Sequence, residues 1–202
     1  KATDIFGVEI QLPNGGVIQE AFTSEKGTCR IPSPVHWTPE NPYLYNITIH
    51  SKEDTIASYF ALRTIGIENI NGINRVCLNH KPIFLHGVLD QGYFHDGLFL
   101  PKEERGYDRD IRCMKAFGFN MLRKHIKIEP DYFYYACDRL GILVMQDLVN
   151  SGSYSFLRDT ALPTIGFKRK KDVHLKTDNR RRQIFMEQTR LTLEHLYNHP
   201  CV

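Results

Sequence analysis

The chain has 202 residues, 42% hydrophobic and 24% charged, enough to bury a core as one domain or two small ones. A formal charge of only +3 argues against a nucleic-acid binder, and the basic clusters at residues 168–171 and 180–182 read as a solvated loop and a helix start. No apolar run approaches the ~20 residues of a membrane span, and the start, Lys1-Ala2-Thr3-Asp4, lacks a signal core, so the cytoplasm is the expected compartment. Residue 1 is not Met, which suits an excised piece of a longer chain.

Residues 1–66 carry short alternating or β-branched runs at 6–12, 43–50 and 55–62. Pro13-Asn14-Gly15-Gly16 is a turn by composition, and Ser51-Lys52-Glu53-Asp54 suits a hairpin loop. This is an all-β region, read as part of a sandwich. Trp37, the only Trp, stands in Trp37-Thr-Pro-Glu-Asn-Pro-Tyr-Leu-Tyr45. It reads as an anchor at the sandwich rim in preference to a sugar-stacking platform. Residues 65–79 form a connector with a short strand pair, 68–70 and 74–78, around Asn71-Gly72.

From residue 78 to 147 the pattern changes to a repeated cycle. Residues 83–88 are a short apolar run that empties into Asp90, Gln91, His95 and Asp96. Residues 102–117 have helical spacing, with Ile111, Met114 and Phe117 on the apolar face, and Gly118 as a stop. Residues 120–123 are the next run; Pro130 opens a helix over 131–140 that Gly141 closes. Residues 142–145 are the third run, ending in Gln146 and Asp147. Strands alternating with such helices indicate βαβ units and a parallel sheet, whose ligand lies at the carboxyl ends of the strands. Asp90, Arg123, His125 and Asp147 are therefore expected to be spatial neighbours.

Residues 149–179 are poor in periodic pattern and read as a long loop, with Tyr154 and Phe156 lining a pocket or pinning the loop down. Residues 180–197 read as an amphipathic helix that buries Ile184, Phe185, Leu191, Leu193 and Leu196. His199-Pro200 stops it, and Cys201-Val202 resembles the first step of a fourth strand. The five cysteines (29, 77, 113, 137 and 201) are odd in number and form no Cys-x-x-Cys pair. That argues against a disulfide framework or a zinc site and favours a reducing compartment. Cys113 and Cys137 are read as buried thiols on apolar helix faces.

The polar residues at the strand ends are the chemical candidates: Asp90, Gln91, His95 and Asp96, then Arg123, Lys124, His125 and Glu129, then Asp147 and Asn150. Carboxylates beside a guanidinium suit carbohydrate chemistry, in which a carboxyl group protonates or attacks and Arg and His hold hydroxyls. A structural bridge from Arg123 to Asp147 or Asp90 accounts for the same residues. No His-x-His, His-Glu-x-x-His, phosphate loop or nucleophile elbow is present, so no metal and no cofactor is expected.

At these residues the chain resembles glycoside hydrolase family 2, the β-galactosidase, β-glucuronidase and β-mannosidase group. Residues 37–45 resemble a phrase near the end of that family's immunoglobulin-like domain, and Phe60-Ala-Leu-Arg63 its Phe-Gly-x-Arg. Leu78-Asn-His-Lys-Pro-Ile-Phe-Leu-His-Gly-Val88 is similar to the family's entry into its (β/α)8 TIM barrel. Phe119-Asn-Met-Leu-Arg123, Cys137-Asp-Arg-Leu-Gly-Ile-Leu-Val144 and Asn198-His-Pro200 resemble its second strand, its third strand and the lead-in to its fourth.

The resemblance implies a multidomain β plus α/β chain. Residues 1–66 would be the C-terminal part of an immunoglobulin-like β-sandwich, and 67–202 the first three βα units of the TIM barrel. It also implies O-glycosyl hydrolysis of β-galactoside-like carbohydrates with retention, by two Glu residues that both fall after residue 202, so that this stretch alone is inactive. Arg123, Asp147, Asp90 and His125 would be substrate-binding, Arg123 matching an Arg that supports the nucleophile. The expected partner is a carbohydrate, with no nucleic acid and no membrane, and the exposed barrel edge would invite self-association. Leu89-Asp90-Gln91 departs from the common Asn-Arg-His, which puts the β-galactoside assignment in question. The reading from another class is a non-catalytic carbohydrate-binding or interaction protein.

Overall fold

The computed structural model describes residues 5–24, 26–149, 155–168 and 179–202. The first unit is an antiparallel sheet of β1 (Phe6–Gln11), β2 (Val17–Phe22), β3 (Tyr45–His50) and β4 (Thr55–Phe60), ordered β2-β1-β3-β4. The β1–β2 hairpin turns at the expected Asn-Gly-Gly, where Gly15 has φ 83° and the Asn14 side chain accepts from the Gly16 N–H at 3.0 Å. Ser51 closes the β3–β4 loop by accepting from the Asp54 N–H at 2.9 Å. Tyr45 is fully buried, stacks on Phe60 with ring centroids 5.1 Å apart, and its hydroxyl accepts from the Val35 N–H at 2.7 Å.

A second sheet, ordered β5-β6-β7, holds β5 (Ile65–Ile70), β6 (Ile73–Leu78) and β7 (Lys81–Pro82). Its hairpin turns at Asn71-Gly72, both with positive φ, the pair such a tight turn requires.

The third unit alternates. β8 (Gly87–Asp90), α1 (Arg105–Ala116), β9 (Met121–Lys124), α2 (Asp131–Leu140) and β10 (Leu143–Gln146) follow one another, and the strands pair in parallel in the order β10-β9-β8. The helices cover one face of this sheet through Tyr107, Ile111, Phe133, Tyr134 and Cys137, packed with Leu122 and Val144. Gly141 ends α2 at φ 74°, its N–H donating to the Cys137 carbonyl at 2.9 Å. Lys115 of α1 donates to the Pro39, Leu140 and Gly141 carbonyls, tying α1, the end of α2 and the loop after Trp37 into one joint.

The first parallel strand begins later than the apolar run suggests. Residues 84–86 take their hydrogen bonds from the Asn120 side chain, which donates to the Phe84 carbonyl and accepts from the His86 N–H, each at 2.8 Å. Pairing with β9 therefore starts at Gly87, and each later strand lies one residue further on than its apolar run.

Helix α1 buries Tyr107 and Ile111, with Met114 half-buried, but Phe117 is exposed because the helix ends before it. Cys113 is likewise exposed, not buried: two positions from Ile111, it points to the opposite side of the helix. Cys137 is buried as expected.

The patternless stretch also holds more structure than expected, a π-helix at Leu157–Ala161 running into α3 (Leu162–Thr164). Phe156 is exposed, while Tyr154, Asn150 and residues 169–171 lie outside the described residues. Helix α4 (Asn179–Leu196) buries only Thr192 and Leu196, leaving Ile184, Leu191 and Leu193 exposed and Phe185 half-buried. Its apolar residues wrap most of the helix instead of forming one stripe, so a single packing partner cannot cover them.

Trp37 resolves as the anchor. It is fully buried, and its indole N–H donates to the backbone carbonyl of Asp138 in α2 at 2.8 Å.

Candidate functional site

The register of the parallel sheet sorts the strand-end residues into two rows. Leu89, Arg123 and Met145 lie side by side, and so do Asp90, Lys124 and Gln146. Successive side chains point to opposite faces of a sheet, so the two rows diverge. The first row is exposed, on the face away from α1 and α2. The second turns toward the helices, where Tyr134 donates to the Gln146 side chain at 2.8 Å and the Lys124 ammonium sits 4.7 Å from the Phe133 ring centroid.

On the open face Arg123 forms a fork with Asp147, Nε to Oδ1 at 3.0 Å and Nη2 to Oδ2 at 3.1 Å. The guanidinium side chain keeps 53% exposure, so it is positioned by one carboxylate yet still open to a ligand oxygen. Backbone bonds pin the floor beneath it, the Asp147 N–H donating to the Lys124 carbonyl at 3.1 Å.

Asp90 is not brought to Arg123. Its Oδ2 pairs with Lys124 at 3.0 Å and its Oδ1 accepts from the Gly92 N–H at 2.8 Å. His125 lies beside it through the backbone, its N–H donating to the Asp90 carbonyl at 2.9 Å, and is half-buried. Gln91, His95 and Asp96 are exposed in the loop after β8. The structure thus joins Arg123 with Asp147, and Asp90 with Lys124, on opposite sides of one sheet.

Glu129 belongs to the inner group. Its carboxylate pairs with Lys124 and, at 2.9 Å, with Lys127, and it accepts from the Tyr107 hydroxyl at 2.9 Å. Lys124 and Glu129 are buried and balance each other in the core, while Asp90 and Lys127 complete the cluster nearer the surface. Burial, reinforced by the Glu129 carboxylate, pushes the Tyr107 phenol well above its ordinary range and keeps it a donor. Gly92 has φ 68°, and a Cβ there would lie 2.7 Å from the Lys124 ammonium, so the loop can fold over this cluster only with glycine.

A second polar cluster went unnoticed in the sequence. Asp138, fully buried on α2, accepts from the Tyr59 hydroxyl at 2.9 Å and the Cys201 N–H at 2.9 Å, and meets His199 Nδ1 at 2.7 Å. Arg63 donates to the Pro200 carbonyl at 2.6 Å and to that of Val202. The cluster's members Arg63, Asp138, His199 and Pro200 fall in three of the phrases that carry the family resemblance, but nothing in those phrases says that they meet.

Residues 69–202 match the family model for the TIM barrel domain of glycosyl hydrolases family 2. The chain belongs to glycosyl hydrolase family 2. A β-galactosidase of Pseudoalteromonas haloplanktis is 29% identical over 126 residues, 59% of this chain and 12% of its own length. One of Leuconostoc mesenteroides is 24% identical over 208 residues, covering 100% of this chain and 18% of its own. The solved β-D-glucuronidase of Dictyoglomus thermophilum superposes with a TM-score of 0.78 at 19% identity, over 100% of this chain and 33% of that one, which shows the fold. This family 2 chain spans 12–22% of the length of the curated β-galactosidases it matches.

Proposed function

We propose that these residues serve a retaining β-glycosidase acting on β-galactoside-like carbohydrates. The observation that carries the reading is the match of two thirds of the chain to the family 2 barrel domain, together with the β-galactosidase relatives. Arg123 and Asp147 are the part of the sugar wall that this stretch contributes. A half-exposed guanidinium held by a bidentate carboxylate is preorganised to donate to a hydroxyl or carboxylate oxygen without reorganising. Asp90 supports the wall from beneath, through Lys124, and His125 holds the Asp90 backbone. In this reading residues 1–66 are the C-terminal part of an immunoglobulin-like sandwich and 67–202 the first three barrel units. The two catalytic Glu residues lie outside residues 1–202, so this stretch alone is inactive.

The test is hydrolysis of p-nitrophenyl β-D-galactoside, glucoside, glucuronide and mannoside by the full-length protein, with the anomer of the first product followed by NMR. Cleavage of one of them with retention and no cleavage by residues 1–202 is the expected result. Failure on all four, or an inverted product, overturns it.

A further inference from the structure

Gln146, the last residue of β10, holds three chain segments with one amide. Its Nε2 donates to the Lys127 carbonyl at 3.1 Å and to the Asp147 carbonyl at 3.0 Å, and its Oε1 accepts from the Tyr134 hydroxyl at 2.8 Å. Tyr134 is fully buried in α2, and its oxygen also accepts from the Glu129 N–H at 3.3 Å. Two carbonyls and one hydroxyl proton face this position. Two donors and an acceptor at that reach are what a glutamine supplies.

The segments it holds meet the open face of the sheet. On one side, the Lys127 N–H donates to the His125 carbonyl at 2.6 Å across Ile126, which stands at φ 64°. A β-branched residue in the left-handed region is costly, and a three-residue turn of this hand is strained. Such a turn persists only where its surroundings hold it. Gln146 holds the Lys127 carbonyl, and the Lys127 ammonium is tied down by the Gly92 and Phe99 carbonyls and by Glu129. On the other side, the Asp147 backbone is caught at both polar groups, its N–H by the Lys124 carbonyl and its carbonyl by Gln146. Only side-chain rotation is left to Asp147, and the fork with Arg123 fixes that.

We propose that Gln146 is a positioning residue for the Arg123–Asp147 fork. It lies in the row that turns toward the helices and reaches the open face only through the Asp147 backbone. The inference rests on the glycosidase reading given above, with the fork as part of the sugar wall. The test measures kcat and KM in the full-length protein for Gln146→Glu, Asp147→Ala and the two combined, on the p-nitrophenyl glycoside cleaved fastest. Gln146→Glu keeps the size and the acceptor for Tyr134 but sets an anion against the two carbonyls. Gln146→Met, which loses all three bonds, replaces it where the carboxylate prevents folding.

The Gln146 variant should lower kcat on the order of tenfold with KM within about twofold of the unaltered protein. The double variant should be no slower than Asp147→Ala alone, because a residue that acts through Asp147 then has nothing to act through. An unchanged kcat, or losses that multiply in the double variant, overturns the positioning role and leaves the sugar wall standing. Normal turnover in Asp147→Ala, or no glycoside cleaved at all, removes the sugar wall and this inference with it. Melting curves showing both Gln146 variants unfolded would make the residue purely structural and also overturn the proposal.

Discussion

The indole N–H of Trp37 donates to the backbone carbonyl of Asp138 at 2.8 Å, across 101 positions of sequence. With the bond from half-buried Tyr59 to buried Asp138 it fastens the antiparallel unit to α2. Trp37→Phe keeps most of the packing and strips the donor from a buried carbonyl, for an expected loss of about 1–3 kcal/mol. Trp37→Ala adds a cavity, for about 3–5 kcal/mol. Urea unfolding curves of the two variants would order them, and equal losses would show that the indole N–H contributes nothing.

Lys124 and Arg123 are adjacent in sequence and should behave oppositely. Lys124→Met leaves the Asp90 and Glu129 carboxylates short of a buried cation, and removing one partner of such a group costs about 3–5 kcal/mol. Arg123→Ala removes a half-exposed ion pair worth about 1 kcal/mol or less, while turnover in the full-length protein should fall steeply. Thermal melts paired with turnover measurements check both; normal turnover in Arg123→Ala removes it from the site.

Gly92 is the hinge over the buried charges. Gly92→Ala forces an L-residue to φ 68° and places a methyl group against the Lys124 ammonium. The expected loss is about 1–3 kcal/mol, with faster amide exchange through residues 92–99. Unchanged exchange there would mean that the loop is held by other contacts.

High pH should weaken the fold. Burial raises the Cys137 and Cys201 thiols and the Tyr59, Tyr107 and Tyr134 phenols above their ordinary values. The folded chain then keeps protons that the unfolded chain releases, so stability is full below about pH 9 and declines as pH rises from there toward the folded values. Melting temperature measured from pH 7 to 11 should fall over the upper half of that range, and a flat profile would contradict the burial of these groups.

Residues 1–202 alone should self-associate. Leu89, Met145, Ile184, Leu191, Leu193 and Tyr197 are all exposed, and β8 is the unpaired edge of its sheet. Light scattering over a concentration series should show mass rising above 23.5 kDa. A concentration-independent monomer is the contrary result.

The alternation of short strands and helices was legible because apolar period and glycine stops agree, as at Gly141, and the family was legible in the phrases around Arg123 and Asn198. Strand starts were not, since nothing in residues 83–86 announces that an Asn side chain 34 positions away will take their hydrogen bonds. The register that follows sets Leu89 beside Arg123 and Asp90 beside Lys124, so Asp90 and Arg123 fall on opposite faces, which their shared place at strand ends does not reveal. Helix α4 misled for another reason: its apolar residues satisfy a helical period on several sides, and only packing selects among them. The reach of Lys127 was hidden because, beyond the Glu129 carboxylate, its partners are backbone carbonyls, which any sequence supplies.

The two rows at the strand ends also separate what can change from what cannot. Substitutions at Leu89 or Met145 alter an exposed face and disturb no charge, while one at Arg123 releases only the open fork with Asp147. Substitutions at Asp90 or Lys124 unbalance a buried charge sum and need a compensating partner. Change along this stretch therefore has independent steps at the odd-numbered positions and coupled ones at the even.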